Sequence, residues 1–333
     1  MLDIICIIVV VIRVRLKLAS AAHAQSQKHK LRDISKFIIR SYLYPRHFQK
    51  MVNLFHHERR QHIFIRQPNY IMKCMIPFLH IGLSKSDVIQ LLNDHHSWLE
   101  ATFSRAAILK IHTDKLYLGS INIDDENYQL TLSFDGRIRK EGELALSLED
   151  NTGYAYYTLG FTIQNNLLLI GCMQGAVNDN GFSRTFTKAI HGLRPKSFMV
   201  EAVQFIAQYL DIKTIYAVKN SAHIYNAKRY GKKSDSINLD YDQLWQEHDG
   251  VDHNRWFYSL PLSAKRREMG EIKRPKRKMY RERYAWLDAY QQQLYALLQP
   301  SLLYPHNLKM SIAEQVAWLT DDSTQYPISQ RSS

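Results

Sequence analysis

The sequence is poor in cysteine, and its cysteines are too scattered to build a site or a scaffold. Three of the 333 residues are Cys, and none of them stands in a Cys-x-x-Cys pair. An odd number of isolated thiols argues against a disulfide-stabilised secreted fold and against a cysteine-rich zinc centre. We therefore expect a protein of a reducing compartment, located in the cytoplasm.

The usual signatures of metal, nucleotide and nucleic-acid sites are also missing. The run HHERRQH, from His56 to His62, lacks the His-Glu-x-x-His pattern of metalloproteases, and its Arg59 and Arg60 would repel a cation. The sequence contains neither a GxGxxG nor a Walker motif, and no recognition-helix or RNA-binding signature. We therefore predict no metal site and no nucleic-acid partner.

The N-terminus carries an apolar run, Leu2 to Ile12, of only 11 residues. A helix needs about 20 residues to cross a bilayer, so this run is too short to span one. Asp3 lies within it and Arg13 follows it, which is the reverse of the charge order in a secretory signal. Two alternatives stay open for residues 1–30. They are a short interfacial anchor, which would make the protein peripheral at the inner membrane, or an extension created by a mis-assigned start.

What the sequence has in excess is positive charge, and the excess is local. The formal net charge is +13, from 44 Lys and Arg against 31 Asp and Glu. Residues 13–66 hold 13 basic and 2 acidic side chains and residues 265–283 hold 10 and 3, whereas residues 67–150 hold 8 and 12. Such cationic segments attract phosphates and acidic proteins. We expect an anionic partner, namely a lipid headgroup, an acyl carrier protein or the phosphates of coenzyme A; the alternative is a set of solvated helix faces.

Apolar periodicity predicts an α+β fold, with a mixed, mainly antiparallel sheet, flanking helices and helical N- and C-terminal arms. With 45% apolar residues the chain can bury a core. Strands are predicted over residues 128–134, 144–148, 154–164 and 167–173, forming an antiparallel meander, and over 214–218. Helices are predicted over residues 33–44, 48–65, 84–99, 195–210 and 224–230, and from Pro275 onward. The proposed regions are an apolar and basic extension (1–30), a helical basic region (31–106), an α/β core (107–260) and a helical basic C-terminal region (261–333).

The connection before the helix at Pro195 is the most suggestive place for chemistry. A helix start presents unpaired N–H groups and a partial positive charge to an anion, and a glycine and two cations stand beside this one. The candidate residues for binding acyl-CoA or acyl carrier protein are Gly192, Arg194, Lys196, Ser197, Asn220 and Tyr225. The candidate acids and bases are His191, Asp179 and Glu201. A basic structural loop, an ordering role for His191 and a solvated Glu201 are the alternatives.

The predicted order of elements is similar to that of the acetyltransferase-like (GNAT-like) fold, in which a meander, a loop, a helix, a strand and a short helix follow one another. The resemblance implies that a splayed pair of strands admits the pantetheine arm and that the loop before the helix holds the pyrophosphate. The loop pattern typical of that superfamily, Gln or Arg followed by x-x-Gly-x-Gly or Ala, is absent. Cys172 is a further candidate, as a thioester-forming nucleophile, although buried strand thiols are usually inert.

A set of short motifs between Ser35 and Leu298 resembles the VirK/YbjX family of Gram-negative bacteria. The motifs are Ile170-Gly171-Cys172-Met173-Gln174-Gly175, His191-Gly192-Leu193-Arg194-Pro195-Lys196, Asp240-Tyr241-Asp242 with Trp245, Leu260-Pro261, and Glu271-Ile272-Lys273 before Lys276-Arg277 and the Tyr280–Tyr284 helix. The resemblance implies a virulence- or stress-associated envelope factor, linked to the correct display of an outer-membrane surface protein and to tolerance of antimicrobial peptides. It carries over no catalytic residue, because the family has no established activity.

The sequence leaves two functional hypotheses open. The first is an acyltransferase that uses a thioester donor, acyl-CoA or acyl carrier protein, and thereby supports the localisation or modification of envelope components. The second is a non-enzymatic adaptor or chaperone that binds anionic lipid or an envelope client protein. Stabilisation by coenzyme A would favour the first hypothesis.

Overall fold

The structure, a computed structural model, describes residues 13–23, 30–57, 59–236 and 239–303. The apolar run Leu2–Ile12 and residues 304–333 of the predicted C-terminal region lie outside the described residues. The α-helices are α1 (13–22), α2 (Lys30–Leu43), α3 (Pro45–His56), α4 (Gln61–Arg66), α5 (Lys85–Thr102), α6 (Arg105–Thr113), α7 (Phe182–Ala189), α8 (Pro195–Tyr209), α9 (Tyr241–Glu247) and α10 (Arg277–Leu298). Short 3-10 segments include Pro68–Met75, Asn220–Ala222, Ile224–Asn226 and Lys228–Ser236.

The N-terminal helices follow the predicted periodicity with one exception. α2 buries Phe37 and ends at Leu43, because Pro45 disfavours helical backbone in the residue before it. The single helix predicted over residues 48–65 is wrong: His57 is extended and ends α3, and α4 begins only at Gln61. The predicted cap before α5 is confirmed, with Ser84 as the capping residue.

α5 begins with a reciprocal capping box. The Ser84 hydroxyl accepts from the N–H of Asp87 at 3.2 Å, and the Asp87 carboxylate accepts from the N–H of Ser84 at 2.9 Å. Two N–H groups without helical acceptors are thereby satisfied, which fixes where this helix starts. Asp87 also places negative charge at the positive end of the helix dipole.

The strands form one eight-stranded, mostly antiparallel sheet in the order β1-β2-β3-β4-β5-β6-β8-β7. The predicted meander is confirmed, because β1 to β5 pair antiparallel in chain order, and the hairpin between β4 and β5 turns at Asn165 and Asn166, both with positive φ. The strands are β1 (Leu116–Ile123), β2 (Glu126–Ser133), β3 (Leu144–Asp150), β4 (Ala155–Gln164), β5 (Leu167–Gly175), β6 (Thr214–Val218), β7 (Val251–Asp252) and β8 (Phe257–Leu260).

The chain crosses over once between parallel neighbours. β6 pairs parallel to β5, and α8 lies between the two strands in the chain. The helix predicted over residues 195–210 is thus confirmed, and it forms the crossover that two parallel strands need. The predictions assigned no element to α6, β1, α7, α9, β7 or β8. α7 illustrates why: its sequence FSRTFTKA is short and polar and buries only Phe182 and Phe186.

The sheet separates two hydrophobic cores. Leu168 and Ile170 of β5 pack in one core with α8 and α10, whereas Leu169 packs in the other with α2, α3 and α5. Successive residues of a strand point to opposite faces, so at β5 the two cores meet the sheet from opposite faces. The α+β class with flanking helices is therefore confirmed. Within the residues described, no helix has both the length and the apolarity to cross a bilayer.

Candidate functional site

α8 begins without a side-chain cap. Arg194, the residue before its first turn, is extended (φ −76°, ψ 144°), and its side chain makes no capping hydrogen bond. Pro195 holds the first helical position, where an N–H would have had no helical acceptor. The N–H groups of Lys196 and Ser197 follow in the first turn and also have no acceptor within the helix. The start of α8 thus offers donors and the positive end of the helix dipole to an anion.

The C-terminal helix α10 holds the loop before α8. Arg283 donates from Nε and Nη2 to the carbonyl oxygen of His191, at 3.0 and 2.8 Å, across 92 positions of the chain. The His191 ring lies beside α10 as well, with Nδ1 3.3 Å from Oε2 of Glu282. Gly192 has φ +79° and a Cβ there would lie 2.8 Å from Arg283 Nη2, so the turn needs glycine. The basic segment 265–283 and the candidate loop before α8, which were recognised separately in the sequence, therefore meet here.

Two hollows open at this junction, and Gly192, Arg194 and Met279 line both of them. The first, which we call the α7 hollow, has a volume of about 700 Å3. The second, the α9 hollow, has a volume of about 410 Å3. Side chains that line the α7 hollow include Tyr157, Ser183, Arg184, Lys188, His191 and Lys196. Side chains that line the α9 hollow include Glu201, Glu247, His248, Lys265, Lys276 and Arg283.

The α9 hollow combines cations with carboxyl groups. Arg194 is more than half exposed and donates from Nη2 to Oε2 of Glu247 at 3.0 Å, so it can exchange this partner for another anion. Glu201, in the second turn of α8, is different because it is only partly exposed to water. Burial raises the pKa of Glu201 to about 7, although Arg266 and Arg283 act in the opposite direction. A carboxyl group with such a pKa can accept or donate a proton near neutral pH.

His248 also lines the α9 hollow, although it is not among the residues predicted from the sequence. Its side chain is 9% exposed, and its Nε2 is buried with no hydrogen-bond partner among the described residues. Burial lowers the pKa of His248 to about 4, so the ring is neutral at physiological pH. A buried nitrogen without a partner at the wall of a hollow is what a ligand would satisfy. No local motif marks His248, because its position depends on how α9 packs.

Six of the nine predicted site residues line the two hollows, and three lie elsewhere. Asp179 lies three residues before α7, and its carboxylate accepts from the N–H of Ser183 at 3.2 Å and from its hydroxyl at 2.8 Å. Asn220 fixes the start of α9: it donates to Asp240 at 2.7 Å and accepts from the N–H of Tyr241 at 2.8 Å. Tyr225 lies with its ring 5.4 Å from that of His223. The six in the hollows are His191, Gly192, Arg194, Lys196, Ser197 and Glu201.

The strands β5 and β6 separate before β5 ends. Their pairing stops at Ile170 and Ala217, while β5 continues to Gly175. Past that point Tyr241 takes the place of a neighbouring strand. Its hydroxyl lies 3.2 Å from both the backbone nitrogen and the backbone oxygen of Met173. Tyr241 is 2% exposed, so the gap between the strands is closed in this conformation.

Two other chemistries considered from the sequence find no support in the residues described. Cys172 is fully buried, and burial raises the pKa of its thiol well above the ordinary value, so it is not a thiolate nucleophile at neutral pH. The described ranges contain no group of three or more His, Cys, Asp or Glu placed to hold a metal ion.

Comparison with known proteins identifies relatives over most of the chain. Residues 26–296 match the family described as protein of unknown function DUF535. YbjX of Escherichia coli (strain K12), described as uncharacterized, is 31% identical over 275 residues, which cover 80% of this chain and 83% of that protein. Two uncharacterized proteins of Haemophilus influenzae are each 31% identical over 49% of this chain, covering 55% and 54% of their own lengths. No solved structure shows significant similarity.

Proposed function

The chain belongs to the DUF535 or VirK/YbjX family, and from that premise we propose that it is an envelope accessory protein that transfers an acyl group at the α9 hollow. The donor is a thioester, acyl-CoA or acyl carrier protein, and the transfer supports the localisation or modification of outer-membrane and cell-surface components, with a role in virulence. The observation that carries the proposal is Glu201, a carboxyl group with a pKa of about 7 in the same hollow as the uncapped start of α8.

The proposed reaction needs one proton acceptor. An amine or hydroxyl of the acceptor attacks the thioester carbonyl carbon, and a C–N or C–O bond forms as the C–S bond breaks. Glu201, as the carboxylate, takes the proton that the acceptor loses and then gives it to the departing thiolate, so the thiol leaves protonated and Glu201 is a carboxylate again. A base with a pKa near the working pH suits this task, because it is partly ionised yet still basic.

The charges around α8 suit the phosphates of such a donor. The first-turn N–H groups of Lys196 and Ser197 are free of helical partners, and Lys265 and Lys276 line the adjoining hollow. Arg194 would leave the exposed carboxylate of Glu247 for a phosphate, to which a guanidinium binds in a bidentate manner. The same cations suit the acidic surface of an acyl carrier protein.

A GNAT-like core is part of this proposal. An antiparallel meander, a crossover helix and a parallel strand, in that order, support it, as does the separation of β5 from β6 after Ile170. Tyr241 distinguishes this chain from a GNAT-like core with open strands, because its side chain fills the gap through which the pantetheine arm would pass. In this chain the arm must either displace Tyr241 or follow the α9 hollow.

The closed gap favours a second candidate function, an adaptor or chaperone without enzymatic activity. Such a protein would dock its cations on anionic lipid at the cytoplasmic face of the inner membrane, or on an envelope client protein. The basic segment from Lys273 to Lys278 supports this alternative, because these cations are largely exposed and begin a helix whose dipole they oppose.

Thermal unfolding with coenzyme A and acyl-CoA tests the first proposal. At a ligand concentration of 100 times Kd, binding stabilises a protein by about 2.7 kcal/mol. We expect stabilisation of the wild type and a reduced effect for Arg194→Ala and Lys196→Ala. Lys110→Ala, an exposed cation on α6, serves as the matched control and should respond like the wild type.

Glu201→Gln separates catalysis from binding. We expect this variant to keep its stabilisation by acyl-CoA and to lose thiol release in the presence of an amine acceptor. No stabilisation by either ligand, together with salt-sensitive co-sedimentation on anionic vesicles, would rule out acyl transfer in favour of the adaptor.

A further inference from the structure

A separate cationic cavity lies among the N-terminal helices. Its volume is about 350 Å3, and it shares no lining residue with the two hollows at α8. We call it the N-terminal cavity. Its walls come from five segments of the chain: His23 after α1, α2, the 3-10 segment Pro68–Met75 with its flanking residues, the connection between β2 and β3, and the segment Lys228–Ser236. The volume is in the range of cavities that bind small molecules.

Positive charge dominates this cavity. Seven cationic side chains line it, against a single carboxylate, Asp33, among the described residues. Asp33 makes an ion pair with Arg32, Nε to Oδ1 at 3.4 Å, and its charge also acts on Arg40, but one carboxylate offsets only part of the seven positive charges. The seven cations are Arg32, Lys36, Arg40, Lys73, Arg139, Lys140 and Arg229.

The arrangement of these cations is unfavourable without an anion. Arg32, Lys36 and Arg40 follow one another at four-residue spacing, so all three lie on one face of α2. Like charges at this spacing destabilise a helix. Two guanidinium groups also approach each other across the cavity: burial, and then the charge of Arg229, lower the pKa of Arg40. The fold thus brings together charges that repel.

The interior of the cavity is neither open nor uniformly polar. Lys73 has a side chain only 4% exposed, and it makes an ion pair with the fully buried Glu143. Phe37, Met72 and Tyr230 contribute apolar surface to the same walls. Arg139 and Arg229 are exposed. The cavity therefore has an apolar interior, a buried ion pair in its wall and guanidinium groups that solvent can reach.

We propose that the N-terminal cavity binds a small organic phosphate, with the phosphate group held by Arg40, Arg139 and Arg229 and the apolar body against Phe37 and Tyr230. Guanidinium groups suit this ligand because their planar donors match phosphate oxygens in pairs. The phosphate belongs either to a lipid headgroup or to a soluble phosphate ester. The proposal is independent of acyl transfer, because it concerns other residues.

Calorimetric titration of the full chain with three probes tests the proposal: pyrophosphate, glycerol 3-phosphate and dihexanoyl phosphatidic acid. The test variant is Arg40→Gln/Arg139→Gln/Arg229→Gln, and the matched control is Arg105→Gln/Lys110→Gln, which removes two exposed cations of α6 that line none of the three cavities described. We expect the control to bind like the wild type and the test variant to bind at least about tenfold more weakly, since each substitution removes charge-assisted hydrogen bonds. If the test variant fails to fold, the single variant Arg229→Gln, at an exposed position, gives the same comparison.

The unliganded proteins supply a second readout. If the cations serve a ligand, removing them relieves repulsion, and the test variant should unfold at a higher temperature than the wild type. Binding of phosphatidic acid alone assigns the phosphate to a lipid, whereas equal binding of glycerol 3-phosphate assigns it to a soluble ester. The proposal is overturned if the wild type binds none of the probes, or if the test variant binds them as tightly as the wild type.

Discussion

The two cationic regions of the molecule differ in how the chain builds them. At α8 the cations are near neighbours in sequence, at the start of one helix, and Arg194 already pairs with an exposed carboxylate. In the N-terminal cavity they come from four distant segments, and the deepest of them, Lys73, is buried with Glu143. A charge at an exposed helix start is held weakly, whereas a buried charge must have a partner. The cations at α8 can therefore exchange their partners, whereas the buried pair in the wall of the N-terminal cavity is fixed before any ligand binds.

Removal of one member of the buried pair is the strongest test of this difference between the two regions. We expect Lys73→Met to lower the free energy of unfolding by about 3–5 kcal/mol, because the Glu143 charge is left without its cation. Arg194→Ala, which removes an exposed pair, should cost less than about 1 kcal/mol. Urea unfolding measures both values.

The double variant Lys73→Met/Glu143→Met is the control for that prediction. It removes both charges, and Tyr70 keeps its hydroxyl near Nε2 of His96 at 3.3 Å. Its stability should return to near that of the wild type, since replacing both members of a buried pair by apolar groups is often neutral. A double variant as unstable as Lys73→Met would show that the ion pair is not the cause.

A second prediction concerns the contact between β5 and the β2–β3 connection, which carries two cations of the N-terminal cavity. A Cβ on Gly171 would overlap the carbonyl oxygen of Glu141, which is backbone and cannot rotate away. Gly171→Ala should therefore cost about 3 kcal/mol. Gly175→Ala, on the same strand with only ordinary contacts near its Cβ, should change the unfolding free energy little. Equal effects on urea unfolding would contradict this explanation.

Two single groups, His112 on α6 and Glu201 in the α9 hollow, should respond to acid in opposite directions, and His112 gives the larger effect. Burial, and then the charge of His62, lower the pKa of His112 to about 4. A group whose pKa is lower in the folded state destabilises the fold as pH falls from the unfolded pKa, about 6.5, to the folded one. His112→Phe should remove up to about 3 kcal/mol of this loss between pH 6.5 and 4. An unchanged dependence of unfolding on pH would refute the assignment.

Glu201, in the α9 hollow, should give the smaller effect with the opposite sign. Its pKa is raised to about 7, chiefly by burial, so the stability it contributes is present in acid and is lost as pH rises toward 7. Relative to the wild type, Glu201→Gln should gain stability from about pH 4.5 to 7, by about 2 kcal/mol after allowance for partial exposure. Melting temperatures across this range test the sign, and a relative loss would contradict the raised pKa.

The same contrast explains what the sequence could predict. The start of α8 is encoded locally, by Pro195 at the first helical position and an apolar face that follows, so the helix and six of its site residues were found together. The meander was predictable because alternation and turn residues mark each strand. His248 and the N-terminal cavity were not, because their positions depend on packing between segments that no local pattern relates.

The role of Tyr241 at Met173 has a consequence for how the sheet could open. A single hydroxyl there satisfies one peptide donor and one peptide acceptor. Any entering chain that carries an amide, whether a pantetheine arm or an extended peptide, could offer the same complement of donor and acceptor. Exchange of the Tyr241 hydroxyl for such an amide would leave the number of hydrogen bonds to Met173 unchanged. The gap between the strands beyond Ile170 can therefore be reopened without leaving a peptide group of β5 unpaired.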